Sequence, residues 1–427
     1  MIEPPPPHAE AVGLPWDIEV DDAVEVLADA RRTYGDTFTV HSGDDTYLFT
    51  FSPIGVASFY DLPEESASKG VADFLMLRRK LPDEIFLGRR TLPHDLFTRS
   101  STAGYLAHLD DALDATFVEL GPSGEVDLFA LGRRIGQRVG LASWGGPGAG
   151  EGERFHRLAS AFEVLDASDA FVHPDAMAAV AASNKAEERA ALEVVIDEIG
   201  TAIDALGDTD DDDGHGLFRS IVEAWADEPA PIATRGAALD VALAHIASMS
   251  NLVAALGWFL VDLLEHPGLM ADVRSGAREP TERAALESVR LAQRSIISRH
   301  VLQPVLLDVG ETVYRVGSGV TIATLLPLTN VEAPGYAEFR PDRWQGRRLA
   351  DVSDLGAREL VTTFGHGSHL CPAQPFALAA MVRTAFRLLD TYHLEPGWSV
   401  RPTPVRTQIG GVARSAEPCT VRYVLRH

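Results

Sequence analysis

Residues 239–265, LDVALAHIASMSNLVAALGWFLVDLLE, are a long apolar stretch that reads as one helix. At 1.5 Å per residue such a helix spans about 40 Å, enough to cross a whole domain. Asp240, His245, Asn251, Asp262 and Glu265 interrupt it. A segment carrying those groups reads as a buried core helix rather than a membrane span. His266-Pro267 ends it, because the residue before a proline is driven out of the helical region. The chain must therefore supply enough structure to cover a helix that is apolar nearly all round.

The flanking sequence can do so. Almost every segment from about residue 70 to 300 reads as helix, broken by loops at 145–152 and 207–216. The second loop, GDTDDDDGHG, lacks the twelve-position ligand spacing of a calcium hand and reads as a solvated acidic turn. DDAVEVLADARRTYG has helical periodicity and stops at Gly35, and DTFTVHSGDDTYLFTFS reads as two strands about a GDD turn. Short strands follow residue 300, a helix covers about 372–392, and VRTQIGGVARSAEPCTVRYVLR is predicted to close the chain as a β hairpin. The fold class is mainly α: a single domain over 1–427 with a small β region and a Pro-rich extended segment at 1–15.

Hydrophobic residues make up 46% of the chain and charged residues 23%, as in globular proteins. Its 37 basic and 62 acidic residues give a net charge of −25, which disfavours a nucleic-acid partner or an anionic membrane surface. Two cysteines make no disulfide scaffold, so a cytoplasmic setting is expected. MIEPPPPHAEAVGLPWD has no basic region followed by an apolar run, so neither a signal peptide nor a membrane anchor is expected.

One of those cysteines lies in FGHGSHLCPA, residues 364–373. Three readings are open. His366, His369 and Cys371 could ligate zinc, but a closed structural site needs four ligands. Cys371 could be a buried thiol acting as a small hydrophobe. Or Cys371 could be the axial thiolate of a haem iron. Gly365 and Gly367 allow a close backbone approach to a flat macrocycle, the following helix N-terminus favours a thiolate, and His369, two residues before the cysteine, could hydrogen-bond a haem propionate.

This loop resembles that of the cytochrome P450 superfamily, F-G-x-G-x-[HR]-x-C-x-[GA], which Phe364, Gly365, Gly367, His369, Cys371 and Ala373 match. Pro372 is unusual but suits the first turn of a helix. Glu287-Ser-Val-Arg290 resembles the family's E-x-x-R, and Arg343 in FRPDRW its downstream arginine. The resemblance implies the triangular helix-rich fold, haem b held by Cys371, and a buried ion network of Glu287, Arg290 and Arg343. It also implies propionate contacts from Arg299, His94 and Arg99, and a substrate pocket at Ile296, Ile297, Ala244, Ser248, Gln408 and Ile409.

The family's mid-helix acid–threonine pair is replaced here by Ser250-Asn251, with the small Ala247 one turn earlier. A carboxylate can relay protons, whereas an amide can only donate a hydrogen bond. SNLVAALGWFLVDLLEHP resembles the branch holding the sterol 7α- and 12α-hydroxylases and prostacyclin synthase. That branch contains both oxygen-using and oxygen-independent chemistry. The expectation is a soluble, bacterial-type monooxygenase oxidising a lipophilic sterol, terpenoid or specialised metabolite. It would use O₂ and electrons from a ferredoxin with its reductase or from a flavodoxin-type donor. The alternative is a haem-thiolate enzyme that does not activate O₂: a peroxide isomerase, a dehydratase, or an oxygen or nitrene transferase. A non-catalytic haem carrier is a third class. Arg347, Arg348, Arg383 and Arg387 are expected to form a basic docking patch for the donor. His245 and Cys419 are expected only to pack.

Overall fold

The computed structural model describes residues 5–91, 96–206, 216–346, 355–367 and 370–426. Its axis is a single helix, Ala230–Glu265, which begins nine residues before the apolar stretch does. Pro231 sits in its first turn, where a missing N–H is harmless. By length and composition this helix could cross a membrane, but most of it is packed inside the protein. Helices Leu128–Trp144, Ala186–Asp204, Arg278–Ala292 and Gln374–Thr391 surround it. Their apolar faces join it in one core around Trp144, Phe155, Phe162 and Phe259.

Local chemistry sets the smaller elements. Asp22 caps helix Ala23–Tyr34 by accepting the backbone N–H groups of Val24 and Glu25. Gly35, at φ +90°, ends it in a conformation that favours glycine. The strands are β1 (Thr37–Ser42), β2 (Asp45–Thr50), β3 (Ala67–Ser68), β4 (Ser123–Asp127), β5 (Ile296–Val301), β6 (Val305–Asp308), β7 (Val313–Val316), β8 (Val320–Leu325), β9 (Tyr392–Pro396) and β10 (Thr420–Leu425). β1 and β2 pair antiparallel about Gly43 and Asp44, at the turn the sequence predicts. The sheet order is β1-β2-β8-β5-β3, with β2 and β8 parallel. A second core under this sheet buries Phe38, Phe49 and Phe51.

The C-terminal segment differs from the predicted hairpin. β10 pairs with β4 and β9, both distant in sequence. Within the segment only an isolated Pro404–Ser415 bridge forms. Residues 406–414 instead become a loop pinned to the core. Arg294 donates to the carbonyls of Arg406 (2.6 Å) and Gln408 (2.7 Å). Ala413 N–H donates to Ala292 O, and Trp258 Nε1 donates to Ala413 O.

Candidate active site

The first helical turn after the cysteine faces the thiol. Its sulfur accepts hydrogen bonds from the backbone N–H groups of Ala373 and Gln374. Burial nevertheless pushes the Cys371 thiol above its ordinary range, and the two amides only partly offset this. The expected stabilisation of a thiolate by the helix N-terminus is therefore present but outweighed by burial. The loop is closed by Cys371 N–H donating to Phe364 O at 2.7 Å and Leu370 N–H to Gly367 O. Gly365 (φ +84°) and Gly367 (φ +58°) make the turn. Leu370 is 52% exposed beside the half-buried sulfur, an apolar surface without a cover.

A chain of hydrogen bonds carries this loop on a buried charge cluster. Arg290 and Glu287 are wholly buried and meet in two bonds of 2.8 Å. Arg343 Nε donates to the same carboxylate at 2.7 Å, and Trp344 Nε1 and Arg340 N–H complete its shell. Arg290 also donates to Asn330 O. Asn330 in turn donates to Thr362 O and accepts from Thr362 N–H. The Thr362 hydroxyl accepts from Gly365 N–H at 2.7 Å. Neither Asn330 nor Thr362 belongs to a motif, so sequence reasoning missed both.

Above the loop the core helix changes character. Its neighbours are buried on both sides, yet Ala247 and Asn251, one turn apart, are exposed, with Ser248 and Ser250 half-buried beside them. A mid-helix stripe open to space inside a packed protein marks an internal cleft. Phe376 and Ala380 of the cysteine helix meet Leu252, Val253 and Leu256 around an apolar gap of about 10 Å³. That gap holds at most one water, but it places the cysteine helix against the turn that follows Asn251. Asn251 Oδ1 accepts from Val412 N–H at 2.8 Å. Gly411 is at φ +66°, and a Cβ there would lie 2.3 Å from that oxygen.

Other expected residues are placed differently. Arg299 is buried, and both its terminal nitrogens donate to carbonyls, of Leu62 and Ala67 from one and Tyr60 from the other. Backbone carbonyls therefore engage both terminal nitrogens of the guanidinium. Ala244 and Ile409 are buried in packing, and the Gln408 amide bonds Gly410 O, Val412 O and Arg414 N–H. These three are therefore turned away from the expected pocket, Gln408 and Ile409 because the pinned loop 406–414 points them inward and Ala244 because its face of the core helix is packed. Ile296 and Ile297 are half-buried. Arg99 is exposed at the start of helix Arg99–Leu120. Arg383 and Arg387, two of the four arginines of the expected basic patch, pair with Asp110 and Asp114. His94, His369, Arg347, Arg348 and the acidic loop residues 207–215 lie outside the described residues. His366 Nε2 bonds Val361 O. His245 packs against Phe162 and accepts from Trp144 Nε1.

No family model matches the chain. It is 23% identical over 203 residues to a cytochrome P450 monooxygenase of Gibberella zeae, covering 40% of this chain and 38% of that protein. It is 26% identical over 208 residues to human 24-hydroxycholesterol 7-alpha-hydroxylase, covering 42% of each. Norfluorocurarine oxidase of Strychnos is 26% identical over 165 residues, covering 34% of this chain and 31% of that protein. The chain is similar to the cytochrome P450 superfamily. Its matched part spans less than half the length of these relatives. The helix-rich architecture with a small β region is consistent with the cytochrome P450 fold.

A haem is the group this family implies, and the residues present fit it. The sulfur is half-buried with two amide donors, the glycines permit close approach, and an uncovered leucine lies beside it. Cys371 would hold the iron.

Proposed function

We propose that the protein is a haem-thiolate monooxygenase that oxidises a lipophilic small molecule with O₂ and electrons from a redox partner. The observation that carries this reading is the Cys371 thiol at the mouth of helix Gln374–Thr391, with the amides of Ala373 and Gln374 on its sulfur. The similarity to cytochrome P450 monooxygenases supports it. The haem, when bound, supplies oxidation of a substrate C–H bond by O₂. The chain's part is to hold the thiolate dry, to keep Asn251 oriented through Val412 N–H, and to leave Ala247 small enough for a ligand. The similarity to a 24-hydroxycholesterol 7-alpha-hydroxylase favours a sterol-like substrate over a terpenoid. The setting is cytoplasmic, with a ferredoxin- or flavodoxin-type donor.

The second reading, oxygen-independent rearrangement or group transfer, rests on the absence of a carboxylate next to Asn251 on the core helix. Incubation under ¹⁸O₂ with a host metabolite extract, with and without NADPH and a surrogate donor, separates the two. A labelled product that needs reductant is expected. An unlabelled product formed without reductant would overturn the monooxygenase. In Cys371→Ala, the red-shifted Soret band of the reduced, CO-bound protein is expected to vanish.

A further inference from the structure

The hold on Asn251 leads back to a residue outside the site. Arg294, just past helix Arg278–Ala292, grips loop 406–414 at three places. Its backbone N–H donates to Gly411 O at 3.0 Å, its Nε to Gln408 O at 2.7 Å, and a terminal nitrogen to Arg406 O at 2.6 Å. Asp22 lies 3.4 Å from that same nitrogen. Gln408 braces the loop from within, its amide donating to Gly410 O and Val412 O and accepting from Arg414 N–H. The loop then delivers Val412 N–H to Asn251 Oδ1 at 2.8 Å. Only the oxygen of the amide can meet that N–H, because turning the amide over would set two donors face to face. Gly411 leaves the room for it, since a Cβ there would lie 2.3 Å from Oδ1. The acceptor of the exposed Asn251 is therefore engaged, and among the described residues its Nδ2 meets no acceptor.

Resting on the reading of the 247–251 turn as part of the site of oxidation, we infer that Arg294 is the positioning residue for Asn251. It fixes the amide so that the cleft is offered a donor only. The site therefore takes lipophilic ligands that bring a hydrogen-bond acceptor, such as a ketone or ether oxygen, to that turn. A hydrocarbon there would cover Nδ2 and leave it unsatisfied, which costs more than the bond itself is worth. Arg294 is buried and acts only through the loop. Lysine is a poor substitute, because a compact ammonium cannot copy the planar fork that reaches two carbonyls at once.

The test uses the haem-loaded protein with androstane, androstan-3-one and androstan-17-one, each titrated by the shift of the Soret band. In the wild type at least one ketone is expected to bind tighter than the hydrocarbon by about three- to tenfold. N251A should erase that preference and G411A should do the same. R294M should erase most of it, and R294K should keep a part. The N251A/R294M double variant should be no worse than N251A, as expected of residues that act as one unit. In ¹⁵N spectra, the side-chain amide signals lost in N251A should be moved by R294M. A merely structural Arg294 would weaken ketone and hydrocarbon alike and leave their ratio unchanged. That result would overturn the inference, as would a wild type without ketone preference or additive losses in the double variant. If the wild type takes up no haem, the haem-thiolate reading fails instead. The same ligands are then titrated by tryptophan fluorescence against the haem-free protein, and the same ratio decides. If R294M does not fold, R294K and G411A carry the comparison.

Discussion

Two side chains show what burial does to a single residue. The Cys371 thiol is raised by burial, more than the Ala373 and Gln374 amides can offset. In the haem-free protein it is expected to react slowly with iodoacetamide at neutral pH and to accelerate only in alkali. Labelling across a pH series, with Cys371→Ala as background for the buried Cys419, measures this. Iron binding would then release a proton. His245 is wholly enclosed, and burial holds its pKa down to about 3. The unfolded chain takes up that proton near its ordinary value of 6.5, whereas the folded protein refuses it until about 3. The unfolded state therefore binds more protons in this window, so stability is lost as the pH drops, by about 1.4 kcal/mol per unit. Denaturant titrations at pH 7 and 5 should show a shallower loss in His245→Gln than in the wild type.

At the scale of elements, helix Arg278–Ala292 is the support of the site. Its Glu287 receives three bonds from the segment 340–344 and two from Arg290 on its own turn. Removing one partner of a fully buried pair leaves a charge without compensation, at a cost of about 3–5 kcal/mol. Glu287→Ala should lower stability by that order in denaturant unfolding, with Arg343→Ala less severe because Arg343 is nearer the surface. Arg290→Lys should resemble the alanine variant more than the wild type, since an ammonium cannot make the paired bonds and reach Asn330 O as well. The effect should be transmitted through Asn330 and Thr362 to Gly365, so haem retention should fall along with stability.

For the whole molecule, the haem-thiolate reading has one ligand that would order the loop around Cys371 and the open turn at 247–251 together. A ligand that binds only the folded form adds stability by mass action. Haem removal should therefore lower the melting temperature. It should also raise hydrogen exchange in those two regions while the Glu287 helix stays protected. Equal exchange in both forms would mean the haem lies elsewhere. Much of this arrangement was legible in the residues. The core helix, the β1–β2 turn, the capped first helix and the Glu287–Arg290 pair all depend on neighbours within a turn or two, and spacing alone specifies those. The Cys371 loop belongs with them, since its glycines and the helix after it are local. What only the tertiary structure decided are contacts across the chain. β10 pairs with β4 rather than folding back, and loop 406–414 buries Gln408 and Ile409. Arg383 and Arg387 meet acids on helix Arg99–Leu120, and Asn251 meets Val412 N–H. No periodicity encodes these, because they depend on how helices cross and which polar group then lacks a partner; each buried donor or acceptor takes the one the packing brings near.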